Sequence, residues 1–243
     1  MILFVHGVPD TAILWQPLTE ALGLQPDSYR ALSLPGFASP LPKGFASSKD
    51  DYAAWLISQI EAAGEPVHIV GHDWGALLVL RAVSLRPELI SSWCVTNAVI
   101  DPEYRGHRTA QMWATPLLGE LVMLGMRNKA RLETGLIAGG MPASLAREEV
   151  PHIDLAMRQS ILKLYRSAVG LRFRGEWVDD LANIPKRGQL FWGETDPYVD
   201  LSVAERFSKR WNVPLHVARG AGHWACHERA KEFAGVLAAH WSR

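Results

Sequence analysis

The sequence predicts an α/β fold in which helices flank a mostly parallel sheet of about six strands, with a helical segment inserted after the fourth strand. Short apolar runs rich in strand-forming residues alternate with helical patterns along the chain. Most of these runs are apolar at every position, as strands covered by helices on both faces require. One stretch of roughly ninety residues, 98–184, contains no strand pattern and is too long for a simple connection.

The strands and helices of the sheet region follow one another in order. The strand patterns lie at residues 2–5, 29–34, 67–70, 91–96, 189–192 and 215–217. The helical patterns that connect them lie at residues 15–22, 49–63, 74–85, 201–211 and 228–241. The helix at 49–63 should pack on the sheet, because apolar side chains recur along it at helical spacing, namely Tyr52, Trp55, Leu56 and Ile60.

The long stretch without strands contains four helical patterns, at residues 109–124, 129–137, 144–149 and 153–169. An insertion at this position should lie above the carboxyl ends of the strands, where α/β sheets bind their ligands. We therefore interpret residues 98–184 as a helical cap that keeps bulk water from a site. Residues 1–97 and 185–243 are expected to form one core domain.

The amino-acid composition indicates which kinds of molecule the protein is expected to bind and in which compartment. The 243 residues include 25 Lys and Arg and 25 Asp and Glu, so net charge favours neither nucleic acid nor an anionic membrane. The two cysteines, Cys94 and Cys226, suit a reducing compartment better than a disulfide framework. The apolar N-terminal run is far shorter than the roughly 20 residues that span a bilayer and has no basic segment before it. We expect a cytoplasmic monomer or homodimer that acts on a small molecule and water, with neither nucleic acid nor a membrane as a partner.

An aspartate occupies the centre of a tight turn between a strand and a helix, Gly71-His72-Asp73-Trp74-Gly75. In the G-x-S-x-G nucleophile elbow, the central side chain projects from such a corner, which the glycines keep free of clashes. A carboxylate that attacks carbon forms an alkyl ester. Asp73 therefore predicts a substrate with an electrophilic sp3 carbon and a leaving oxygen or halide. The alternative for an aspartate at this position is a helix N-cap, and the flanking glycines favour catalysis.

Two later segments supply candidate partners for this carboxylate. Asp196 ends a strand pattern in Trp192-Gly193-Glu194-Thr195-Asp196-Pro197 and is a candidate acid, although an aspartate before proline can also initiate a turn. Its rivals for the acid role are Glu194, Asp200 and Asp101. His223 lies in a glycine-rich loop before the last helix and is the candidate base.

Neither a metal nor a nucleotide cofactor is expected. His223, His227 and Glu228 are spaced somewhat like metal ligands, but their order is not H-E-x-x-H, and Gly222 places His223 in a loop. The sequence contains no G-x-G-x-x-G or Walker pattern. His6 and His72, which flank the candidate site in sequence, are interpreted as structural residues that orient loops.

These motifs resemble those of the capped α/β-hydrolases in the epoxide hydrolase and haloalkane dehalogenase group. The resemblance includes the oxyanion-loop motif His6-Gly7-Val8-Pro9, the aspartate elbow, the acid segment and the segment Gly220-Ala221-Gly222-His223-Trp224. Their order in the chain, nucleophile then acid then histidine, is that of this fold. Only five residues precede His6, whereas many relatives have two further edge strands, so about six strands are expected here.

The resemblance implies a mechanism with two steps. Asp73 attacks the substrate from behind and forms a covalent ester. His223 then deprotonates the water that cleaves this ester, and Asp196 stabilises the imidazolium. The backbone N–H groups of Val8 and Trp74 are the expected oxyanion donors.

The leaving group separates the two kinds of relative. Epoxide hydrolases use cap tyrosines to protonate the leaving oxygen, and Tyr165 in Ile161-Leu162-Lys163-Leu164-Tyr165-Arg166 matches such a segment; Tyr104 is a poorer match for the second tyrosine. Dehalogenases hold the halide with tryptophan and asparagine N–H groups, and Val8 replaces the usual asparagine. Further candidate substrate contacts are Trp74, Pro9, Trp113 and Trp224. We expect an epoxide hydrolase acting on small apolar epoxides; a dehalogenase is the alternative, followed by a non-catalytic ligand-binding protein.

Overall fold

A computed structural model describes residues 1–242. Six parallel strands form one sheet in the order β2-β1-β3-β4-β5-β6. Their bounds are β1 Ile2–Val5, β2 Tyr29–Leu32, β3 Val67–His72, β4 Ile90–Thr96, β5 Gly188–Gly193 and β6 Leu215–Ala218. The fold class expected from the sequence is confirmed, and the sheet is parallel throughout.

Twelve α-helices accompany the sheet in the described part of the chain. They are α1 Gln16–Ala21, α2 Lys49–Glu61, α3 Trp74–Leu85, α4 Arg108–Ala114, α5 Leu118–Gly125, α6 Lys129–Ala138, α7 Ala143–Glu149, α8 Leu155–Ser167, α9 Glu176–Asp179, α10 Leu201–Trp211, α11 Ala225–Glu228 and α12 Ala230–Trp241. Helices α4 to α9 lie between β4 and β5, and this segment is called the cap below. No described residue of the cap belongs to a strand.

The sheet is covered on both faces, which explains its apolar strands. Along β1, Leu3 and Val5 belong to the hydrophobic cluster that includes α2, α3 and cap residues. Ile2 and Phe4 point to the other cluster, with residues of α1 and α12. Both cysteines are free and buried. In residues 1–242, no helix has the combined length and apolarity that a bilayer crossing needs.

Most of the expected helices differ from the observed ones by one or two residues at an end, α9 was not expected, and two expected helices are each split in the structure. The pattern at 109–124 forms two helices, α4 and α5, because Pro116 lies between them and a proline cannot continue a helix interior. The pattern at 228–241 is likewise split, with Arg229 between α11 and α12 at φ −116° and ψ 36°, outside the helical region.

The strand order places the candidate site. The chain runs from β1 outward to β2 and then returns to β3 on the other side of β1, so the order reverses between β1 and β3. In open α/β sheets, ligands bind in the crevice at the carboxyl ends of strands where the order reverses. The loop after β1 begins at His6, and the turn after β3 contains Asp73. Both therefore border this crevice.

Candidate active site

Asp73 lies at the corner between β3 and α3 with φ 49° and ψ −121°, a strained conformation for a residue with a side chain. The residues two positions before and after it, Gly71 and Gly75, have no room for a side chain. A Cβ on Gly75 would collide with the carbonyl oxygen of Val5, and one on Gly71 would lie 2.5 Å from the carbonyl oxygen of Gly75. Asp73 stands at the N-cap position of α3, but its side chain makes no capping hydrogen bond to the helix, so the carboxylate is not used for capping.

The two oxygens of Asp73 have different surroundings. Oδ1 accepts a hydrogen bond from the Val8 N–H at 2.8 Å, and Oδ2 faces His223 Nε2 at 3.6 Å. Burial acts to raise the pKa of this carboxyl, but the hydrogen bond and charge of His223, with a smaller effect of the Trp74 N–H, lower it below the ordinary value. Asp73 is therefore a buried anion with one oxygen held and one oxygen directed at the imidazole.

His223 is fixed by Asp196 on its other side. The distance from His223 Nδ1 to Asp196 Oδ2 is 2.8 Å. Asp196 Oδ1 accepts the N–H groups of Tyr198 and Val199 at 2.8 and 3.0 Å, and Asn97 Nδ2 donates to Oδ2 at 2.8 Å. These donors hold the carboxylate in one orientation. Burial acts to raise the pKa of Asp196, but the charge of His223 and then the hydrogen bonds lower it below the ordinary value.

The rival acids have other partners. Asp101 forms an ion pair with Arg206 at 2.5 Å. Asp200 accepts the Ser202 N–H at the start of α10, and Glu194 accepts the Gly220 N–H. The structure brings together Asp73, His223 and Asp196 and leaves these three carboxylates outside the cluster. His227 is also directed elsewhere, with its Nδ1 3.2 Å from the Leu14 carbonyl oxygen.

The imidazole lies between two negative charges. Burial alone would lower the pKa of His223, but the carboxylates of Asp196 and Asp73 raise it to about 10. His223 is therefore an imidazolium at neutral pH while Asp73 is charged. Removal of the charge on Asp73 would lower this pKa, because one of the two stabilising anions disappears.

A cavity of about 340 Å³ opens above Asp73 and His223 and is bordered by both the core and the cap. Five residues expected from the sequence line it: Val8, Pro9, Trp113, Tyr165 and Trp224. The indole of Trp74 is buried beneath the cavity, with its ring centre 5.3 Å from that of Tyr165. The remaining surface is mostly apolar, with side chains such as Val122, Met126, Leu132 and Leu136.

Tyr104 is not brought into this cavity. Its hydroxyl donates a hydrogen bond to the Tyr198 carbonyl oxygen at 2.8 Å, and its ring borders a separate small void that also touches Asp73. The hydroxyl proton of Tyr104 is therefore already bound to a backbone carbonyl oxygen. A second ring-opening tyrosine would instead have to direct this proton at the substrate oxygen. The expectation for Tyr104 does not fit this geometry.

Three site residues were missed in the sequence. Tyr198 and His107 line the cavity, and the ring of Tyr198 lies 5.0 Å from that of His223. Burial lowers the pKa of His107 to about 4, and its Nδ1 accepts the Ala110 N–H, so the neutral ring has a free donor at Nε2. Asn97, the third, follows β4 directly. The sequence offered one indication for each of two of them. Asn97 stands at the carboxyl end of a strand, and Tyr198 stands two residues after the candidate acid Asp196.

Two buried carboxyl groups lie behind the site. Asp10 Oδ1 accepts the Trp224 Nε1–H at 2.9 Å. Glu149, the last residue of α7, accepts the N–H and hydroxyl of Thr11 at 2.9 and 3.2 Å, and so ties the cap to the loop after β1. Burial raises the pKa of Asp10 to about 7, and burial followed by the charge of Asp10 raises that of Glu149 to about 8.

A Glu149→Gln variant should become more stable than the wild type as the pH rises. The folded protein retains a proton on Glu149 that the unfolded chain releases above about 4.5, so the wild type loses stability between about pH 4.5 and pH 8. Glutamine keeps the acceptor for Thr11 and cannot ionise. We expect similar melting temperatures at pH 4 and a variant that melts several degrees higher at pH 9. The control is Glu148→Gln, which changes the exposed neighbouring glutamate. A difference in melting temperature between Glu149→Gln and the wild type that stays the same at every pH would contradict the raised pKa of Glu149.

Comparisons with known proteins agree with this architecture. The family model described as "Alpha/beta hydrolase family" matches residues 2–236. The epoxide hydrolase srdG of Neurospora crassa is 33% identical over 97 residues, which are 37% of this chain and 28% of that protein. An epoxide hydrolase of Caballeronia sordidicola is 29% identical over 98 residues, which are 36% of this chain and 27% of that protein. The match therefore spans less than a third of either relative's length.

Solved structures resemble the chain over nearly its whole length. The 2-hydroxy-6-oxo-6-phenylhexa-2,4-dienoate hydrolase of Rhodococcus sp. strain RHA1 gives a TM-score of 0.78 at 20% identity, covering 100% of this chain and 90% of that one. The haloalkane dehalogenase DbeA of Bradyrhizobium elkani USDA94 gives 0.74 at 19%, covering 99% and 90%. The epoxide hydrolase VrEH1 of Vigna radiata gives 0.74 at 18%, covering 98% and 90%. These TM-scores show a shared fold, and the family model that matches residues 2–236 shows that the chain belongs to the alpha/beta hydrolase family.

Proposed function

We propose that the protein is an epoxide hydrolase that converts small apolar epoxides to vicinal diols through an ester on Asp73. The observation that carries this proposal is the shared cavity, which Asp73 borders from the core and Tyr165 from the cap. Burial raises the pKa of Tyr165 well above its ordinary value, so the phenol keeps its proton until a strong base appears. An alkoxide released from an epoxide is such a base.

In the first step, Asp73 Oδ2 attacks an epoxide carbon from the side opposite the ring oxygen. The carbon–oxygen bond of the ring breaks, and Tyr165 donates its proton to the leaving oxygen. The apolar cavity excludes water from the carboxylate, which leaves the anion a stronger nucleophile. The product of this step is a hydroxyalkyl ester in which Asp73 carries no charge.

In the second step, the ester is hydrolysed. The loss of charge on Asp73 lowers the pKa of His223, and the proton that His223 releases restores the phenol of Tyr165. The neutral imidazole, oriented by Asp196, then deprotonates a water that attacks Cγ of Asp73. Negative charge develops on Oδ1, where the Val8 N–H already donates at 2.8 Å and the Trp74 N–H is adjacent. The Cγ–Oδ2 bond breaks, and His223 returns its proton to the leaving oxygen, so that the diol departs. The new carboxyl group of Asp73 then gives its own proton to His223, which restores the starting pair of charges.

A specific observation favours a second candidate, halide release from haloalkanes. The indole N–H groups of Trp74 and Trp113 are buried and have no hydrogen-bond partner among residues 1–242. Both rings lie against Tyr165, at centre distances of 5.3 and 5.0 Å. Two free donors near the nucleophile are suited to a weakly basic leaving halide. The valine at position 8 supplies no further side-chain donor, and this is why the epoxide is preferred.

The two candidates are distinguished by a substrate panel and one tyrosine variant. Wild-type protein is incubated with styrene oxide, aliphatic epoxides and bromoalkanes, and diol and bromide are measured. We expect diol formation. The Tyr165→Phe variant should slow single-turnover ester formation from epoxides by about 10² or more, because it lacks the proton donor.

The matched control is Tyr104→Phe, which removes a hydroxyl already bound to a backbone carbonyl and should change this rate only a few-fold. Bromide release without diol would establish the dehalogenase instead. Equal rates for wild type and Tyr165→Phe would remove Tyr165 from the mechanism.

A further inference from the structure

The outer face of the cap exposes a row of leucines. Leu117, Leu121 and Leu124 are 80%, 65% and 56% exposed, and their spacing along the start and length of α5 places them on one side of the helix. Leu155 at the start of α8 is 61% exposed. Four large apolar side chains in one region, each more than half exposed, exceed the scattered exposure usual for a surface.

Cations border these leucines. Leu124 and Leu155 line one groove together with Arg127 and Arg158. Neither arginine forms an ion pair with any described residue. The carboxylate in the groove, Glu120, is already held by Arg166 at 2.7 and 2.8 Å. The groove therefore combines exposed apolar surface with two uncompensated positive charges.

This combination favours an anionic lipid surface over a second copy of the chain. A two-fold dimer would bring this positive patch against a second copy of itself, and the only carboxylate in the groove, Glu120, is already bound to Arg166 and offers the arginines no partner. A lipid surface offers acyl chains to leucines and negative headgroups to arginines. The expectation that no membrane is involved was drawn from zero net charge, which does not reveal such local segregation.

We propose that the leucine face of α5, with Leu155, Arg127 and Arg158, docks the protein on anionic lipid membranes. Other residues of α5 and its end support a role in substrate entry, because Val122, Gly125 and Met126 line the cavity above Asp73. A docked α5 would then lie between the membrane and the cavity. Docking itself does not depend on the proposed epoxide chemistry; only the delivery of an apolar substrate from the lipid rests on it.

Vesicle co-sedimentation of the full chain tests this proposal. Wild-type protein should sediment with phosphatidylcholine vesicles that contain phosphatidylserine and far less with phosphatidylcholine alone, and high salt should release it. Leu121→Ser/Leu124→Ser should abolish sedimentation. Arg127→Glu/Arg158→Glu should reduce it by at least roughly fivefold per arginine. The control Leu85→Ser changes an exposed leucine at the end of α3 and should bind like the wild type.

All variants are compared for melting temperature and for turnover of a soluble substrate, which docking should not affect. Failure of the wild type to bind either vesicle, or unchanged binding by both double variants, would overturn the proposal while leaving the catalytic assignment intact. Sedimentation velocity measures whether a second copy of the chain binds this face instead. A wild-type dimer that Leu121→Ser/Leu124→Ser converts to monomer would assign the face to a second copy and likewise overturn lipid docking.

Discussion

A His223→Gln variant incubated with a reactive epoxide should stop after the first chemical step, so that the intact protein gains the mass of one substrate molecule. Attack by Asp73 does not require a base, whereas hydrolysis of the ester does. Glutamine cannot accept the proton of the water, so we expect steady-state turnover to fall by about 10³ or more. Intact-protein mass spectrometry after mixing detects the adduct, and a peptide map assigns it to Asp73.

The pH of this experiment matters. His223 helps to keep the pKa of Asp73 low, and burial acts in the opposite direction, so the carboxyl of the variant ionises less readily. The measurement is therefore made at pH 8 or above. His227→Gln is the control, because His227 lies four residues away and contacts a backbone carbonyl outside the cavity. Normal turnover by His223→Gln, or the absence of any adduct at high pH, would refute the assigned role of His223.

An Asp73→Asn variant should form neither adduct nor product, with a loss of activity on the order of 10⁴ or more. Asparagine is isosteric and its oxygen can still accept the Val8 N–H, so the fold should be retained. The amide is a poor nucleophile and carries no charge. The same substitution should lower the pKa of His223, because Asp73 is one of the two carboxylates that raise it.

Two measurements follow for this variant. Single-turnover assays report ester formation, and the titration of the His223 imidazole by NMR reports its pKa. Asp101→Asn provides the control, since Asp101 is ion-paired with Arg206 and lies outside the cluster. Activity of Asp73→Asn within tenfold of the wild type would exclude the covalent mechanism. An unchanged imidazole pKa would mean that the carboxylate and imidazole do not interact.

Much of the architecture could be predicted from the sequence because its determinants are local. Helices α3 and α10 have the bounds that the apolar pattern indicates, and each strand pattern overlaps an observed strand. The glycines at 71 and 75 identify the corner at Asp73, since the collision of any Cβ with nearby carbonyl groups is a short-range effect. The break at Pro116 was available by the same kind of rule, because proline interrupts a helix.

Long-range contacts could not be predicted. The hydrogen bond between Glu149 and Thr11 joins positions 138 residues apart, and no pattern near either residue indicates it. The same holds for Asp10 and Trp224. Tyr104 and Tyr198 show a further limit, because both are tyrosines close to candidate carboxylates in sequence. Only the direction of each side chain shows that Tyr198 reaches the cavity while Tyr104 donates to a backbone carbonyl.

The shape of the corner at Asp73 depends on close main-chain packing at positions 71 and 75, where a Cβ would lie too near the carbonyl oxygens of Gly75 and Val5. The main-chain turn and the nucleophilic side chain that it carries are thus determined by different residues. A different nucleophile at position 73 would therefore leave the two glycines that shape the turn unchanged.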